Sequence, residues 1–346
     1  MTTVTPSPVT QTEAQFAVVP DFKGNDHITV FSTLITLAVF GIIGNLAVMS
    51  LSQSKLLLKC SFGTLSVNRC LSNLAGTIAF TPIMSYALIT EEEPSNVLRF
   101  LTGSFLNLSY NVTSACNAFL ALNRLCVFYA KPLPMFNRKW IPLTLIAIWI
   151  IAFILSFPTV FAPCNFAFKS DSFNWQFSQK TFCGQFFDQM NTFIEYFLAV
   201  FLLILNAFII GRVVQYWWQC PYPTFEMSKK DRQFVLQEFL ITTVFTLSMV
   251  AVYLRSHVDT TSWILFVLFK LNWLLVISID PWITVIFNGL MRQRILANFG
   301  WKPKRVSTVS VSRLNLPAND FVEEPPCLKA AWIKLKTFFE NSFFFL

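Results

Sequence analysis

ITVFSTLITLAVFGIIGNLAVMSL, residues 28–51, is an apolar run of 24 residues without one charged side chain. A helix rises about 1.5 Å per residue and the hydrocarbon core of a bilayer is about 30 Å thick, so about 20 apolar residues cross it. The run therefore reads as a membrane span. Six comparable stretches follow, at 64–89, 100–129, 140–162, 190–214, 235–254 and 263–288. Lipid offers no water to a free N–H or C=O, so each stretch must satisfy its own backbone as a helix. The expected fold class is an all-α membrane protein: a seven-transmembrane helix bundle with a cytoplasmic interfacial helix.

Composition agrees. Hydrophobic residues make up 54% of the chain and charged residues 13%, against about a quarter charged in soluble domains. The expected organisation is an outer N-terminus (1–27), a seven-span membrane domain (28–300) and a cytoplasmic tail (301–346). Residues 1–27 contain no apolar run, so no cleavable signal peptide is expected and the first span serves as its own insertion signal. The net charge of +8 does not mark a nucleic-acid partner, because its distribution is that of a membrane protein. With the N-terminus outside, 19 of the 26 basic residues fall in cytoplasmic segments and five in outer ones, which is the positive-inside bias. Among the eight cysteines, only Cys164 and Cys183 then face the oxidising side, both in the loop between spans four and five. They are expected to be bonded to each other.

Short loops join most spans, which makes sequence neighbours antiparallel. No internal repeat or inverted half is present, unlike many transporters. Pro82 and Pro158 lie within spans and are expected to kink them. Beyond the seventh span, Leu290, Met291, Ile295, Leu296 and Phe299 alternate with Arg292, Arg294 and Asn298, the pattern of an amphipathic helix on the inner leaflet. Residues 303–326 are polar and rich in Ser and Pro. Leu328, Trp332, Leu335 and Phe339 then recur beside Lys329, Lys334 and Lys336, reading as a second interfacial helix at 327–340 drawn to anionic membrane lipid.

Polar residues inside spans are costly, so each asks for a role. Gly44-Asn45 lies in GIIGNLAV of span one and Asn73 in LSNLAG of span two. Asn123-Arg124 ends span three in ALNRLCVFY, Trp149 is central in span four, and Asp280-Pro281 lies in ISIDPWITVIFN of span seven. Any one alone reads as a satisfied interhelical hydrogen bond. Together, in this order, they resemble the rhodopsin-like G-protein-coupled receptors over about residues 28–300. PCNFAF, FNWQF and TFCG in the fourth-to-fifth loop and FNGLMRQRIL at the exit from span seven resemble a narrower group, the nematode chemosensory receptors of serpentine receptor class X. The resemblance implies a polar network of Asn45, Asn73, Asp280 and Pro281, with Arg124 as the contact for a heterotrimeric G protein. Departures are visible too. Asn123 replaces the acid before Arg124, Leu125 an aromatic and Thr284 a Tyr. No Cys stands near residue 99, and span six has no Trp-x-Pro.

Glu195 in span five and Lys270 in span seven lie about two turns from the outer ends of their spans. Either they line a ligand pocket or neutralise each other across it, or Lys270 snorkels to the interface on its long stem. Leu274, not Lys270, holds the place that binds retinal in opsins, so the chain is not an opsin. Glu238, near the inner end of span six, is either solvated or a resting-state partner of Arg124. His27 and His257 are far apart and outside the spans, and there is no phosphate loop or cysteine-histidine metal spacing. No enzyme, cofactor or metal is expected. The sequons at Asn107 and Asn111 fall within span three, out of reach of glycosylation. The expected function is a chemosensory receptor at the plasma membrane, in sensory cilia for the nematode group, which binds a small-molecule or peptide ligand on its outer side. The rival is a seven-helix channel or transporter subunit, of which the insect odorant channels keep the N-terminus inside. Epitope tags at both ends check the orientation: the N-terminal tag is expected to stain on intact cells and the C-terminal tag only after permeabilisation. The reverse pattern would remove the receptor reading.

Overall fold

The computed structural model describes residues 26–50, 61–90, 94–128, 133–137, 139–169, 174–219, 229–254 and 263–287, with Arg292 and Ile295. The two interfacial helices expected at 290–299 and 327–340 lie outside the described residues, apart from Arg292 and Ile295. So does the N-terminus through residue 25. The helices are α1 (Asp26–Ser50), α2 (Ser61–Thr90), α3 (Asn96–Phe128), α4 (Ile141–Ser156), α5 (Phe182–Gln219), α6 (Lys229–Leu254), α7 (Trp263–Lys270) and α8 (Asn272–Phe287). Helix α3 stands at the centre, packed on α2, α4 and α5, while α5 meets α6, α6 meets α8 and α8 returns to α1, closing a ring.

Helices α1 and α5, and α4 together with the 3₁₀ turn that follows it (Ile141–Val160), are long and apolar enough to cross a membrane, and α7 with α8 passes the same test as a bent pair. Helix α4 is apolar all round, and Ile146, Ile150 and Phe153 stand exposed on its outer side, as lipid contact requires. Helices α2, α3 and α6 carry more polar residues, and these face inward: Arg69, Asn73, Thr113, Asn117 and Gln237 are buried. Pro158 ends α4 rather than bending it: the chain tightens into a 3₁₀ turn over Phe157–Val160.

Span seven is not the single helix that its hydropathy predicts. It breaks at Leu271, and α7 and α8 meet at 69°. Neither Gly nor Pro stands at the break. The neighbouring helix holds it instead: Asn272 Nδ2 donates to the Ser248 hydroxyl (2.8 Å) and carbonyl (3.0 Å) of α6.

Close approach decides how α1 meets α8. A Cβ on Gly41 would come within 2.5 Å of Ser278 Oγ, and one on Gly44 within 2.7 Å of Trp282 Nε1. With no Cβ in the way, Ser278 Oγ donates to the Leu37 carbonyl (2.9 Å) and Trp282 Nε1 to that of Phe40 (3.1 Å). Pro281 adds a second constraint. It has no N–H to give the carbonyl of Ile277 four residues earlier, and Asn45 Nδ2 of α1 donates to that carbonyl at 3.2 Å.

The loop between α4 and α5 is structured, which the sequence did not predict. Strands β1 (Phe166–Lys169) and β2 (Asn174–Phe177) pair antiparallel, with Phe166 opposite Phe177 and Phe168 opposite Trp175. Phe168 is fully buried and, with Trp175, joins a core that includes Val30, Leu34, Phe80, Phe266 and Leu274. The expected Cys164–Cys183 disulfide is present, its Cα atoms 4.9 Å apart. Helix α5 begins eight residues before the expected start because Thr181 caps it, its Oγ1 accepting the Gly184 N–H at 3.1 Å.

Gly103 of α3 lies under this hairpin: a Cβ there would collide with the Phe166 carbonyl oxygen, whereas one on Gly211 of α5 would meet nothing within 4 Å. Gly103→Ala is expected to displace the hairpin and lower the thermal midpoint of purified receptor by several degrees. Gly211→Ala, which improves helix propensity by roughly 1 kcal/mol, is expected to hold or raise it. Equal midpoints for the two variants would show that the hairpin does not rest on α3.

Candidate functional site

The polar residues that hydropathy leaves unexplained gather at three depths. At mid-depth the organising residue is one that the sequence reading passed over, Arg69 of α2. Its side chain is fully buried, and Nε lies 2.9 Å from Asp280 Oδ2 of α8. Nη1 donates to Asn117 Oδ1 of α3 and Nη2 to Thr284 Oγ1 of α8, both at 3.0 Å. Asn73 Nδ2 donates to the same Asp280 oxygen at 3.3 Å, and Thr113 Oγ1 to Asn73 Oδ1 at 2.8 Å. Ser72 Oγ adds a bond to the Ser109 carbonyl at 2.6 Å. One guanidinium thus ties α2, α3 and α8. The sequence did carry a signal: Arg69 precedes Asn73 by four residues, which puts both on one helix face. Sorting the basic residues by loop left it out.

Asn45, Asn73, Asp280 and Pro281 therefore lie in two adjoining arrangements. Asn73 and Asp280 belong to the Arg69 cluster, and Asn45 caps the carbonyl that Pro281 frees. Asn45 Nδ2 also contacts the Gly41 carbonyl at 2.8 Å. Trp149 of α4 donates from Nε1 to Asn68 Oδ1 at 3.4 Å.

Under the β1–β2 hairpin lies a cavity of about 180 Å³. Its roof is β2 with Phe166. Its walls include Asn107 and Tyr110 of α3, Asp188 and Glu195 of α5, Met249 of α6, and Lys270 and Asn272 at the α7–α8 break. The structure thus brings Glu195 and Lys270 to one cavity, both half-buried. Asn191 Nδ2 donates to Glu195 Oε1 at 2.6 Å. Phe80 lies between Trp175 and Trp273, with ring centroids at 6.3 and 6.0 Å. The break in span seven is what turns Lys270 and Asn272 to this space. Asp188 is a further acid on the wall that sequence reading did not single out.

At the end of the bundle away from the hairpin, Arg124 is buried and its guanidinium carbon sits 3.8 Å from the centre of the Phe62 ring. That is a cation–π contact between α3 and α2. Ser61 Oγ donates to Asn123 Oδ1 at 3.2 Å, so the Asn in place of an acid bonds to α2. Glu238 lies on α6, but its side chain is outside the described residues. No group of three or more His, Cys, Asp or Glu among the described residues could hold a metal.

Residues 35–288 match the family model described as serpentine type 7TM GPCR chemoreceptor Srx. The chain belongs to that family. Squid rhodopsin, a solved structure, shares the fold of this Srx chain: TM-score 0.63 at 14% identity, covering 87% of this chain and 93% of the rhodopsin chain. No curated protein matches. The Srx chain is a G-protein-coupled chemosensory receptor and a multi-pass membrane protein, of a kind not generally enzymatic. Neither comparison points to a channel or transporter.

The Arg69–Asp280 pair generates a prediction for this Srx receptor. Removing one partner of a buried ion pair strands the other charge and costs about 3–5 kcal/mol, whereas replacing both with neutral groups is often close to neutral. Arg69→Met and Asp280→Asn are each expected to reduce surface expression severely. The double variant is expected to recover at least half of the loss, measured by surface immunostaining. A double variant no better than the worse single one would mean that the two side chains do not act as a pair.

Proposed function

We propose that this receptor stands in the plasma membrane of sensory cells, in their cilia, with its N-terminus outside and residues 301–346 in the cytoplasm. A ligand binds in the outer cavity, in contact with Glu195 and Lys270, and a heterotrimeric G protein binds at the inner end around Arg124. The observation that carries this reading is that the two charged residues from spans five and seven line one roofed cavity. Its volume favours a small molecule over a peptide. Signalling is a population shift: the ligand binds one helix arrangement more tightly than the other, and the G protein reads the favoured one.

Arg124 is held at rest by the face of Phe62 and, we propose, by the Glu238 carboxylate across the inner opening. An ion-pair contribution of about 1 kcal/mol to the resting state is roughly a fivefold change in the equilibrium. Arg124→Ala is expected to abolish the ligand response in a G-protein reporter assay while surface expression stays within about twofold. Glu238→Gln is expected to raise basal signalling about fivefold. A normal response from Arg124→Ala would overturn the coupling mechanism. An unchanged baseline in Glu238→Gln alone would place the restraint elsewhere.

A further inference from the structure

Asp188 and Glu195 are seven residues apart on α5, two turns of helix, and both line the outer cavity. One helix face therefore presents two carboxylates to it. Lys270 presents an ammonium to the same cavity from the last residue of α7. Fixed charges of both signs thus stand on different walls. Trp175 and Trp273 on either side of Phe80 supply an aromatic surface beside them. About 180 Å³ holds on the order of ten non-hydrogen atoms at close packing.

Charges at this depth need answering groups. In the empty cavity the lining answers them, as Asn191 does for Glu195. An entering ligand displaces part of that lining and must replace what it displaces. A neutral ligand can replace hydrogen bonds such as that from Asn191, but it brings a counter-charge to neither wall. A ligand of one sign serves one wall and leaves the other poorly matched. A ligand with both signs answers both walls.

We propose that this cavity, taken as the ligand site, recognises a small zwitterion: an aromatic α-amino acid or a similar ammonium carboxylate. Its carboxylate lies at Lys270, its ammonium at Glu195 and Asp188, and its ring against Trp175 and Trp273. The three contacts act together: each charge alone is weakly selective, and the aromatic surface alone accepts any flat apolar group.

The test uses purified full-length receptor and its thermal midpoint. The probes are the twenty amino acids, then the methyl ester and the N-acetyl derivative of the best binder, then a panel of neutral ketones and alcohols. At least one aromatic amino acid is expected to raise the midpoint saturably, and each single-charge derivative to bind at least tenfold more weakly. Lys270→Gln is expected to erase the preference for the acid over its methyl ester but keep the preference over the N-acetyl form. Glu195→Gln is expected to do the reverse, and Lys270→Arg to behave as the parent. A damaged fold does not produce such opposite selectivity changes. If no amino acid shifts the midpoint, or both derivatives bind as tightly as the parent compound, the zwitterion proposal is overturned. Met249→Trp, which fills the cavity, separates the two readings. Neutral compounds that bind the parent receptor but not this variant would keep the site and overturn the ligand class. Amino acids that bind both equally would overturn the site, and with it the placement proposed here.

Discussion

A guanidinium buried inside a helix bundle needs answering groups from the protein, and in this receptor three helices supply them. Arg69 is answered by Asp280, Asn117 and Thr284, so α2, α3 and α8 have to present those groups at one level. Their register follows: a one-residue rotation of any of the three helices would carry its polar group away from the guanidinium. Thr284 acquires a structural reason here, since its short hydroxyl accepts from Arg69 Nη2 at 3.0 Å. A buried ion pair contributes little net stability against an apolar replacement. Its effect lies in specifying one arrangement of three helices.

The same three helices extend to both ends of the bundle. Along α3, Asn107, Tyr110, Thr113, Asn117 and Arg124 fall at spacings that keep them on one face. The first two line the outer cavity, the next two belong to the Arg69 cluster, and the last packs on Phe62. Cavity, ionic cluster and inner arginine are thus stations on one helix. Helix α8 likewise begins at Asn272, in the cavity wall, and carries Asp280 about two turns further along.

What could be read from the sequence divides along physical lines. Hydropathy reports the free energy of placing a segment in lipid, so the number and order of the spans were legible. Compartment chemistry was legible as well, and with it the Cys164–Cys183 bond. Glu195 and Lys270 could be assigned to the outer half of the bundle because depth is a one-dimensional quantity. Features set by contacts between segments were not legible. The break at Leu271 has no Gly or Pro to announce it and depends on Ser248 of another helix. The β1–β2 hairpin is made of strands four residues long, below what alternation can reveal, and is fastened by burial of Phe168 in the bundle. Arg69 was readable in principle, but only by asking what an isolated charge inside a span is paired with.

The bond from Asn45 to the Ile277 carbonyl links positions 232 residues apart, and its cause is Pro281. A proline arriving at 281 without an amide at 45 would leave a bare carbonyl in a dry interior. An amide at 45 without the proline would bring a donor to an oxygen already occupied by its own helix. The two positions are therefore one heritable unit: drift at either is constrained by the state of the other. Asn45 also holds the Gly41 carbonyl, so position 45 serves its own helix as well as its distant partner.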